Sequence, residues 1–249
     1  MKQHLKDWII GKNALKEALN SEASLQKVFL QDSLEKEILY DLLKQSRKKK
    51  IPVLQVPKSK LDKMVGPNHQ GVAALINPIQ FIKIEDLVDK IFLEGHNPAL
   101  LILDQITDVR NFGAIARSAE VFGLHGIIIT QKNSAPINQE AIKASAGALL
   151  NIPICMEKSL HLTVKKLKNM GLQIIALSES ATMSIREVDF QKALAFILGS
   201  EGEGIAEELL ESADLEVSIP QRGKINSLNV SVAAGIVCYQ WTEKNGMTH

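Results

Sequence analysis

One stretch near the C-terminus decides which fold the chain is expected to adopt. From Val217 to Gly235 it reads Val-Ser-Ile-Pro-Gln-Arg-Gly-Lys-Ile-Asn-Ser-Leu-Asn-Val-Ser-Val-Ala-Ala-Gly. A short apolar strand ends at Pro220, because proline has no N–H to donate to a neighbouring strand. After a polar turn, Asn226 and Ser227 offer side-chain oxygens that can cap a helix starting at Leu228. The stretch fits a well-capped core helix, but a strand, a loop and an Asn-rich helix start together indicate a ligand site of an open α/β sheet.

The chain upstream of this stretch alternates strands with helices from residue 99 onward. Apolar strand patterns occupy Ala99–Leu103, His125–Thr130, Ile152–Cys155, Leu172–Leu177 and Ala193–Leu198. Helical patterns cover Ala141–Leu149 and Leu160–Lys168, and another helix follows the first of these strands. This alternation predicts a mostly parallel sheet with helices on both faces. The predicted fold class is therefore α/β.

Composition places the protein among soluble globular proteins. Of the 249 residues, 45% are hydrophobic and 23% are charged, and no apolar run is long enough to span a bilayer. The N-terminus, Met1 to Trp8, lacks the apolar core of a signal peptide, so we expect a cytoplasmic protein without a membrane partner. Cys155 and Cys238 stand far apart in apolar segments and are expected to be reduced core residues, with no metal site.

The N-terminal part of the chain is basic, whereas the remainder is acidic. Residues 1–75 carry 14 Lys and Arg against 8 Asp and Glu, a net charge of +6, and the remaining residues carry 15 against 20. The cations form two clusters, which are Lys44, Arg47, Lys48, Lys49 and Lys50, then Lys58, Lys60 and Lys63. They fit a phosphate-facing patch, although the first cluster also fits a solvated helix end stabilised by its dipole. We expect this part of the chain to bind a polyanion.

The basic part is expected to form a small α/β domain over residues 1–77. A helical stripe covers residues 11–19, and strands cover 26–30, 52–56 and 71–76. Asp32 and Glu35 have the spacing of a capping box for a second helix. Residues 78–98 are expected to be a linker with a helix at Ile84–Leu93, and residues 99–249 are expected to be the second domain.

Two polar loops that follow buried strands carry further candidate site residues. The loop after Leu103 leads to a helix rich in Ala and Gly, on which Asn111 and Arg117 lie near the carboxyl end of the strand. The loop after Leu198 reads Gly-Ser-Glu-Gly-Glu-Gly-Ile, without the Gly-x-Gly-x-x-Gly spacing of a dinucleotide site. Its two glutamates, Glu201 and Glu203, would repel a pyrophosphate. A ligand with a positive centre and no phosphate, such as S-adenosylmethionine, fits this loop better.

Three segments of the second domain together resemble the SpoU branch of the SPOUT methyltransferases, a TrmH-like family. They are Asp104–Gly123, Leu198–Gly204 and Ile219–Ala233, and they match the three signature motifs of that family in order. The N-terminal Gly11-x-Asn13-Ala14-Leu15-x-Glu17 and the tripeptide His69-Gln70-Gly71 resemble the family's RNA-binding substrate domain. The chain is most similar to the two-domain 23S rRNA guanosine 2′-O-methyltransferases, whose tRNA-specific relatives usually lack such an N-terminal domain.

The resemblance implies a fold, a cofactor and an assembly. It implies a deep trefoil knot at the C-terminal end of the second domain, a homodimer with the active site near its interface, and S-adenosylmethionine as the cofactor. It places the cofactor against Leu177, Leu198, Gly199, Gly202, Ile219, Pro220 and Leu228. Gly199 and Gly202 would let the backbone approach the adenine ring. The loop 178–184 departs from the family pattern, because it is more polar and has fewer glycines.

The resemblance also implies a reaction and the residues that carry it. A methyl group moves from S-adenosylmethionine to a ribose 2′-hydroxyl, which is a poor nucleophile. An arginine is hard to deprotonate, so we expect Arg117 to bind the adjacent phosphate and to stabilise the developing alkoxide. Asn111 would orient Arg117 or the RNA, and Glu201 and Asn229 would hold that geometry. Ser227 would cap the following helix and contact the ligand.

Two functions from other classes fit parts of the sequence. A non-catalytic RNA-binding protein would keep the same fold, although the presence of Asn111, Arg117, Glu201 and Asn229 argues against it. A nucleotide-dependent oxidoreductase would use a glycine-rich loop, but the glutamates of this loop disfavour phosphate. Within the methyltransferases, tRNA or another rRNA nucleotide remains open as the substrate.

Overall fold

A computed structural model describes residues 8–20, 25–77, 79–223 and 227–246 of the chain. The chain divides into two units, residues 1–80 and residues 81–249. The expected helix cap at Asn226 lies outside the described residues. No described helix is both long and apolar enough to cross a membrane.

The described part of the first unit contains a four-stranded sheet. Its strands are β1 (Trp8–Ile10), β2 (Leu25–Gln31), β3 (Val53–Val56) and β4 (Val72–Ile76), in the order β1-β4-β2-β3. β2 is parallel to β3, whereas β4 is antiparallel to both of its neighbours. The helices are α1 (Lys12–Asn20), α2 (Lys36–Lys48) and α3 (Lys58–Val65).

Alternating side chains along the strands build two apolar layers in this unit. Val28 of β2 lies in one layer, with Leu15 of α1 and Leu42 of α2. Phe29, the next residue of β2, lies in the other layer with Leu61 of α3. Successive strand side chains point to opposite faces of a sheet. The helices therefore cover both faces, with α1 and α2 on one side and α3 on the other.

The described part of the second unit is built on a seven-stranded sheet. Its strands are β5 (Ala99–Leu103), β6 (Gly126–Thr130), β7 (Ile154–Glu157), β8 (Gln173–Leu177), β9 (Met183–Ser184), β10 (Leu194–Leu198) and β11 (Leu215–Ser218). Their order is β7-β6-β5-β10-β8-β11-β9, and all neighbours are parallel. The helices are α4 (Ile84–Leu93), α5 (Val109–Val121), α6 (Gln139–Ala144), α7 (Leu160–Asn169), α8 (Glu207–Ser212) and α9 (Val230–Asn245). The predicted α/β fold with a parallel sheet is confirmed.

Two adjacent strands of this sheet, β5 and β10, are buried along their whole length. Burial on both faces explains their uninterrupted apolar sequences. On one face, Ile102 and Ile197 pack with Val88 of α4 and Val164 of α7. The strand order changes direction at β5, because β6 and β7 continue on one side and β10 and β8 on the other. Ligands of open α/β sheets bind at the carboxyl ends of the strands at such a point.

The segment expected to be a linker contributes to the second unit. Residues 78–98 include α4, whose side chains Ile84, Leu87 and Val88 are buried in the apolar core of that unit. The unit accordingly begins at residue 81 rather than at residue 99.

Three expected helix boundaries are wrong for local reasons. α2 begins at Lys36 and has no side-chain cap hydrogen bond, so the capping box expected at Asp32 and Glu35 does not form. The helix expected at Ala141–Leu149 is divided into α6 and a 3-10 turn at Ala148–Leu150, because Ala146 and Gly147 between them have positive φ angles of 51° and 91°. α9 begins at Val230 instead of Leu228.

Candidate active site

The start of α5 is fixed by Asp108, which follows the loop after β5. The Asp108 carboxylate accepts hydrogen bonds from the backbone N–H groups of Arg110 and Asn111, at 2.9 Å and 2.8 Å. It is therefore the N-cap of the helix. Asp108 was not predicted as a cap from the sequence, although an aspartate just before a helical pattern is a recognised start signal. The cap fixes Asn111 in the first turn.

The loop after β10, residues 199–204, closes on itself. Ser200 and Gly204 exchange two backbone hydrogen bonds, at 3.1 Å and 3.0 Å. A Cβ atom on Gly199 would lie less than 3.0 Å from backbone atoms of Gly204 and Ile205, so a residue with a side chain does not fit there. The absence of a side chain at Gly199 therefore lets the loop close, and the approach of its backbone to an adenine ring stays a prediction. By contrast, a Cβ atom on Gly202 would have no neighbour within 4 Å.

Asp104 anchors the chain that follows this loop. Its carboxylate accepts a hydrogen bond from the backbone N–H of Ala206 at 2.9 Å, and its own N–H donates to the carbonyl of Leu198 at 2.9 Å. Burial raises the pKa of Asp104 above its ordinary value, and the nearby Glu203 carboxylate adds to the rise. Asp104 was not predicted as a site residue from the sequence either. Its signal is a carboxylate directly after a fully apolar strand.

Three residues predicted to be catalytic meet in one hydrogen-bonded cluster. The Asn111 amide donates to Glu201 Oε1 at 2.9 Å. The Asn229 amide donates to the same carboxylate oxygen and also to Asn111 Oδ1, the latter at 3.1 Å. Asn229 Oδ1 accepts the backbone N–H of Ser231 at 2.9 Å and thereby caps α9. Asn229 thus joins the start of α9 to α5 and to the loop after β10.

Glu201 lies where the N-termini of two helices converge. Asn111 belongs to the first turn of α5, and Asn229 is the N-cap of α9. A helix N-terminus stabilises a nearby carboxylate, by about 0.3–1 kcal/mol at exposed positions. Glu201 and Asn229 are exposed and Asn111 is half-buried. A large substrate can therefore reach the cluster.

A cavity of about 440 Å³ opens next to the cluster and shares Glu201 with it. Its apolar lining comes from the ends of β8 and β10 and from the segment after β11, and includes Leu177, Leu198, Ile219 and Leu228. Gly199 and Gly202 also line it. The volume falls in the range of about 300–1,000 Å³ that is typical of small-molecule sites. Three carboxylates line the cavity, those of Glu179, Glu201 and Glu203, and no described lysine or arginine does.

The loop that departs from the family pattern forms part of this cavity. Ser178, Glu179 and Ser180 line it, and the hydroxyl groups of the two serines are 2.9 Å apart. The sequence alone did not place these residues. Their position brings a third carboxylate into the cavity, which therefore suits a ligand with an apolar ring and a positive charge.

Three other predicted site residues belong neither to the hydrogen-bonded cluster nor to the lining of the cavity. Arg117 is exposed on α5, and its side chain makes no hydrogen bond or ion pair with a described residue, so Asn111 does not hold it here. Ser227 is exposed, and α9 is capped by Asn229 instead, which corrects its expected capping role. Pro220 follows β11 and is not among the residues that line the cavity.

Both units match families of known proteins. Residues 98–239 match the SpoU rRNA Methylase family. The chain belongs to the SpoU rRNA methylase family. Residues 8–82 of this SpoU methylase match a second family, described as RNA 2′-O ribose methyltransferase substrate binding. The predicted family is therefore confirmed, and the protein is an RNA methyltransferase with a substrate-binding part.

Relatives and solved structures match this SpoU methylase over nearly its whole length. YacO of Bacillus subtilis (strain 168), assigned to the TrmH family of tRNA/rRNA methyltransferases, is 34% identical over 94% of each chain. A Staphylococcus saprophyticus protein assigned to the same family is 36% identical over 93% of each chain. The AdoMet-bound rRNA methyltransferase of Sinorhizobium meliloti is 22% identical, with a TM-score of 0.60 over 95% of this chain and 86% of its own. AviRb of Streptomyces viridochromogenes, solved with AdoMet, is 20% identical, with a TM-score of 0.59 over 96% and 90%. These two structures share the fold.

Proposed function

We propose that the protein transfers a methyl group from S-adenosylmethionine to a ribose 2′-hydroxyl of RNA, and that the acceptor is a guanosine of 23S rRNA. The observation that carries the proposal is the cavity at the carboxyl ends of β8 and β10, which shares Glu201 with the hydrogen-bonded cluster. The cavity provides a pocket for the methyl donor. The cluster provides an accessible polar surface for the acceptor beside it.

The lining of the cavity fits the methyl donor. Leu177, Leu198, Ile219 and Leu228 provide apolar walls for the adenine ring. The carboxylates of Glu179 and Glu203 attract its positive charges. Gly202 leaves open space beside the ligand, Gly199 allows the loop to close, and Pro220 would support the wall next to Ile219. When bound, the sulfonium group supplies a methyl group that is ready for transfer.

On the acceptor side, Arg117 is the residue proposed to bind the RNA phosphate. Its guanidinium is exposed, has no hydrogen-bond or ion-pair partner among the described residues, and offers several N–H donors to a phosphate. It would bind the phosphate next to the reacting ribose and stabilise the negative charge that develops on the 2′-oxygen. Arg117 lies about 9 Å along the helix axis from Asn111. The RNA itself would therefore span the two residues.

The hydrogen-bonded cluster would position the acceptor. Glu201 and Asn229 hold the Asn111 side chain at the start of α5, where it would contact the RNA. Ser227 is exposed two residues before the cap of α9 and would contact the ligand. The role proposed for these residues is to orient the acceptor, because hydrogen bonds between them fix their side chains beside the cavity.

The two-unit organisation favours rRNA over tRNA as the substrate. The rRNA methyltransferase of Sinorhizobium meliloti aligns with 95% of this chain. The A. aeolicus tRNA-modifying enzyme aligns with 65%, which is too little to include both units in full. The match to a substrate-binding family lies in the first unit. Because YacO is named for both tRNA and rRNA, tRNA is the second candidate.

We also propose that the protein acts in the cytoplasm as a homodimer, with the active site near the interface. Val121 at the end of α5 and Val232 and Tyr239 on α9 are exposed apolar side chains. The Tyr239 ring stands edge-on to Phe122, so these residues belong to one surface over the two helices. A second copy of the chain would bury this apolar surface. Its position on α5 and α9 would bring the partner close to Arg117.

Two measurements test the proposed function. Isothermal titration should detect binding of S-adenosylmethionine and no binding of NAD, which separates a methyltransferase from an oxidoreductase. Mapping of 2′-O-methylation in RNA from cells with and without the gene should show one 23S rRNA guanosine that loses its methyl group. Loss at a tRNA position would support the second candidate. A protein that binds RNA but not S-adenosylmethionine, with no change in methylation, would be a non-catalytic RNA binder.

A further inference from the structure

The outward side of α2 carries an exposed tyrosine between cations. Tyr40 is 71% exposed. Lys36 and Lys44 stand about one helical turn before and after it, and with 3.6 residues per turn these residues and Arg47 fall within about 80° of the helix circumference. All are exposed, and none of their side chains makes a hydrogen bond or ion pair with a described residue. We call Lys36, Tyr40, Lys44 and Arg47 the Tyr40 face.

The Tyr40 face does not take part in the packing of α2 against the rest of its unit. The helix buries Leu42 and packs Ile38 and Leu39 against the apolar layer that it shares with α1. Tyr40 points away from that layer and makes no ring contact with a described residue. The other tyrosine of the chain, Tyr239, does have partners, because its ring contacts Phe122 and its hydroxyl contacts Glu243.

The charge around the Tyr40 face suits a polyanion. Asp41, the residue after Tyr40, is paired with Lys16 at 3.2 Å and accepts a hydrogen bond from Gln45 at 2.8 Å. Glu37 is the remaining carboxylate on the outward side of α2, where it lies beside Lys44 and is outnumbered by the three cations of the face. The net charge of residues 1–75 is +6. This excess attracts a negatively charged partner and disfavours a basic one.

We infer that the Tyr40 face binds a single-stranded stretch of the RNA substrate, with one unpaired base stacked on the Tyr40 ring. Proteins bind single strands by stacking bases on aromatic rings while cations follow the phosphate backbone. Bases in an RNA duplex are stacked on each other and do not offer a free face to a protein ring. The inference rests on the proposed function, because it takes RNA to be the partner. It adds the surface that makes contact and the conformation of the RNA at that contact.

Fluorescence anisotropy with the full-length protein tests the ring. Tyr40→Ala should weaken binding to a labelled oligouridine by about fivefold to about a hundredfold, which is the range for losing one base–aromatic stack. Binding to an RNA duplex of the same length should stay unchanged. Tyr40→Phe keeps the ring and should bind like the wild type. Leu54→Ala removes another exposed apolar side chain of the same unit and is the matched control, which should change neither affinity.

Salt dependence separates the cations from the ring. Lys44→Gln and Arg47→Gln should each reduce the slope of log affinity against log salt by about 0.7, the value for one phosphate contact on a single strand. Tyr40→Ala should leave that slope unchanged. Wild-type affinity of Tyr40→Ala for oligouridine, or an equal loss on the duplex, would overturn the inference.

The same experiments distinguish this inference from the proposed function. Titration with S-adenosylmethionine and methylation mapping use the wild-type protein, so they test the proposed function separately from the Tyr40 variants. Tyr40-dependent binding of oligouridine by a protein that methylates no RNA would overturn the proposed function and support the inference. If the protein methylates RNA but Tyr40→Ala binds oligouridine like the wild type, the proposed function is supported and the inference is overturned. Thermal unfolding of each variant checks that it is folded, and its midpoint should match that of the wild type because the substituted side chains are exposed.

Discussion

Replacement of Gly199 by alanine should distort the cavity although it removes no side chain. A Cβ atom there would lie less than 3.0 Å from backbone atoms of Gly204 and Ile205, whereas ordinary contact begins at 3.4 Å. These backbone atoms cannot rotate away as a side chain would, because Ser200 and Gly204 are joined by two hydrogen bonds. The loop after β10 must therefore move as a whole, by about 1 Å, since packed interiors have no spare room. Glu201 moves with it.

The expected effect has two parts, one on stability and one on binding. Overpacking of this kind lowers the free energy of unfolding by about 1–3 kcal/mol. At about 2–4 °C per kcal/mol for a chain of this size, the midpoint of thermal unfolding should fall by roughly 2–12 °C. The displaced loop also forms one wall of the cavity. The dissociation constant for S-adenosylmethionine should therefore rise at least tenfold, which corresponds to about 1.4 kcal/mol.

Scanning calorimetry measures the first effect and isothermal titration measures the second. Gly202→Ala is the matched control, because a Cβ atom on Gly202 has no neighbour within 4 Å, and it should melt like the wild type. A Gly199→Ala protein that melts and binds like the wild type would refute the steric argument. A destabilised variant with unchanged affinity would show that the cofactor binds outside this cavity.

Three further predictions concern single side chains. Arg117→Ala should abolish methyl transfer in a turnover assay and leave the affinity for S-adenosylmethionine nearly unchanged, and substantial remaining turnover would exclude its proposed role. Asn229→Ser keeps an oxygen to cap α9 but loses the amide that donates to Glu201. Methyl transfer should therefore fall, while the free energy of unfolding changes by less than about 1 kcal/mol. A larger loss of stability would show that serine does not replace the cap. Burial, together with His96, lowers the pKa of His125 below 6.5, so the unfolded state binds more protons just below that pH and wild-type stability should decrease as the pH falls through it. In urea unfolding at several pH values, His125→Gln should show a flatter dependence, and a slope equal to that of the wild type would be evidence against this linkage.

Elements with a clear hydrophobic pattern could be predicted from the sequence almost to the residue. β5 and α4 begin and end where the pattern predicts, because a buried strand or a buried helix face leaves a regular apolar repeat. Shorter elements without such a repeat were not predicted, namely β1, α3, β9 and α8. Helix starts are also hard to predict. Before α9, both Ser227 and Asn229 offer a capping oxygen, and the contact of Asn229 with Glu201 favours the second.

The site could be assembled from the sequence only through the resemblance to a family. Asn111 and Asn229 are 118 positions apart, and no local spacing relates them to each other or to Glu201. The sequence also does not distinguish a tightly packed glycine from an open one. Gly199 and Gly202 look alike in the sequence, but the chain packs against the first and leaves the second open. The trefoil knot and the catalytic role of Arg117 stay predictions.

The position of β10 in the sheet affects how the chain folds while it is being synthesised. β10 pairs with β5 through Leu194 and Ala99, which are 95 positions apart, whereas β6 follows β5 closely and covers its other edge. At a synthesis rate of about 5–20 residues per second, one edge of β5 stays unpaired for roughly 5–20 s after it has been made. Unpaired apolar edges promote aggregation. The nascent chain should therefore depend most on chaperones between the synthesis of β5 and that of β10, after its basic N-terminal unit has already been completed.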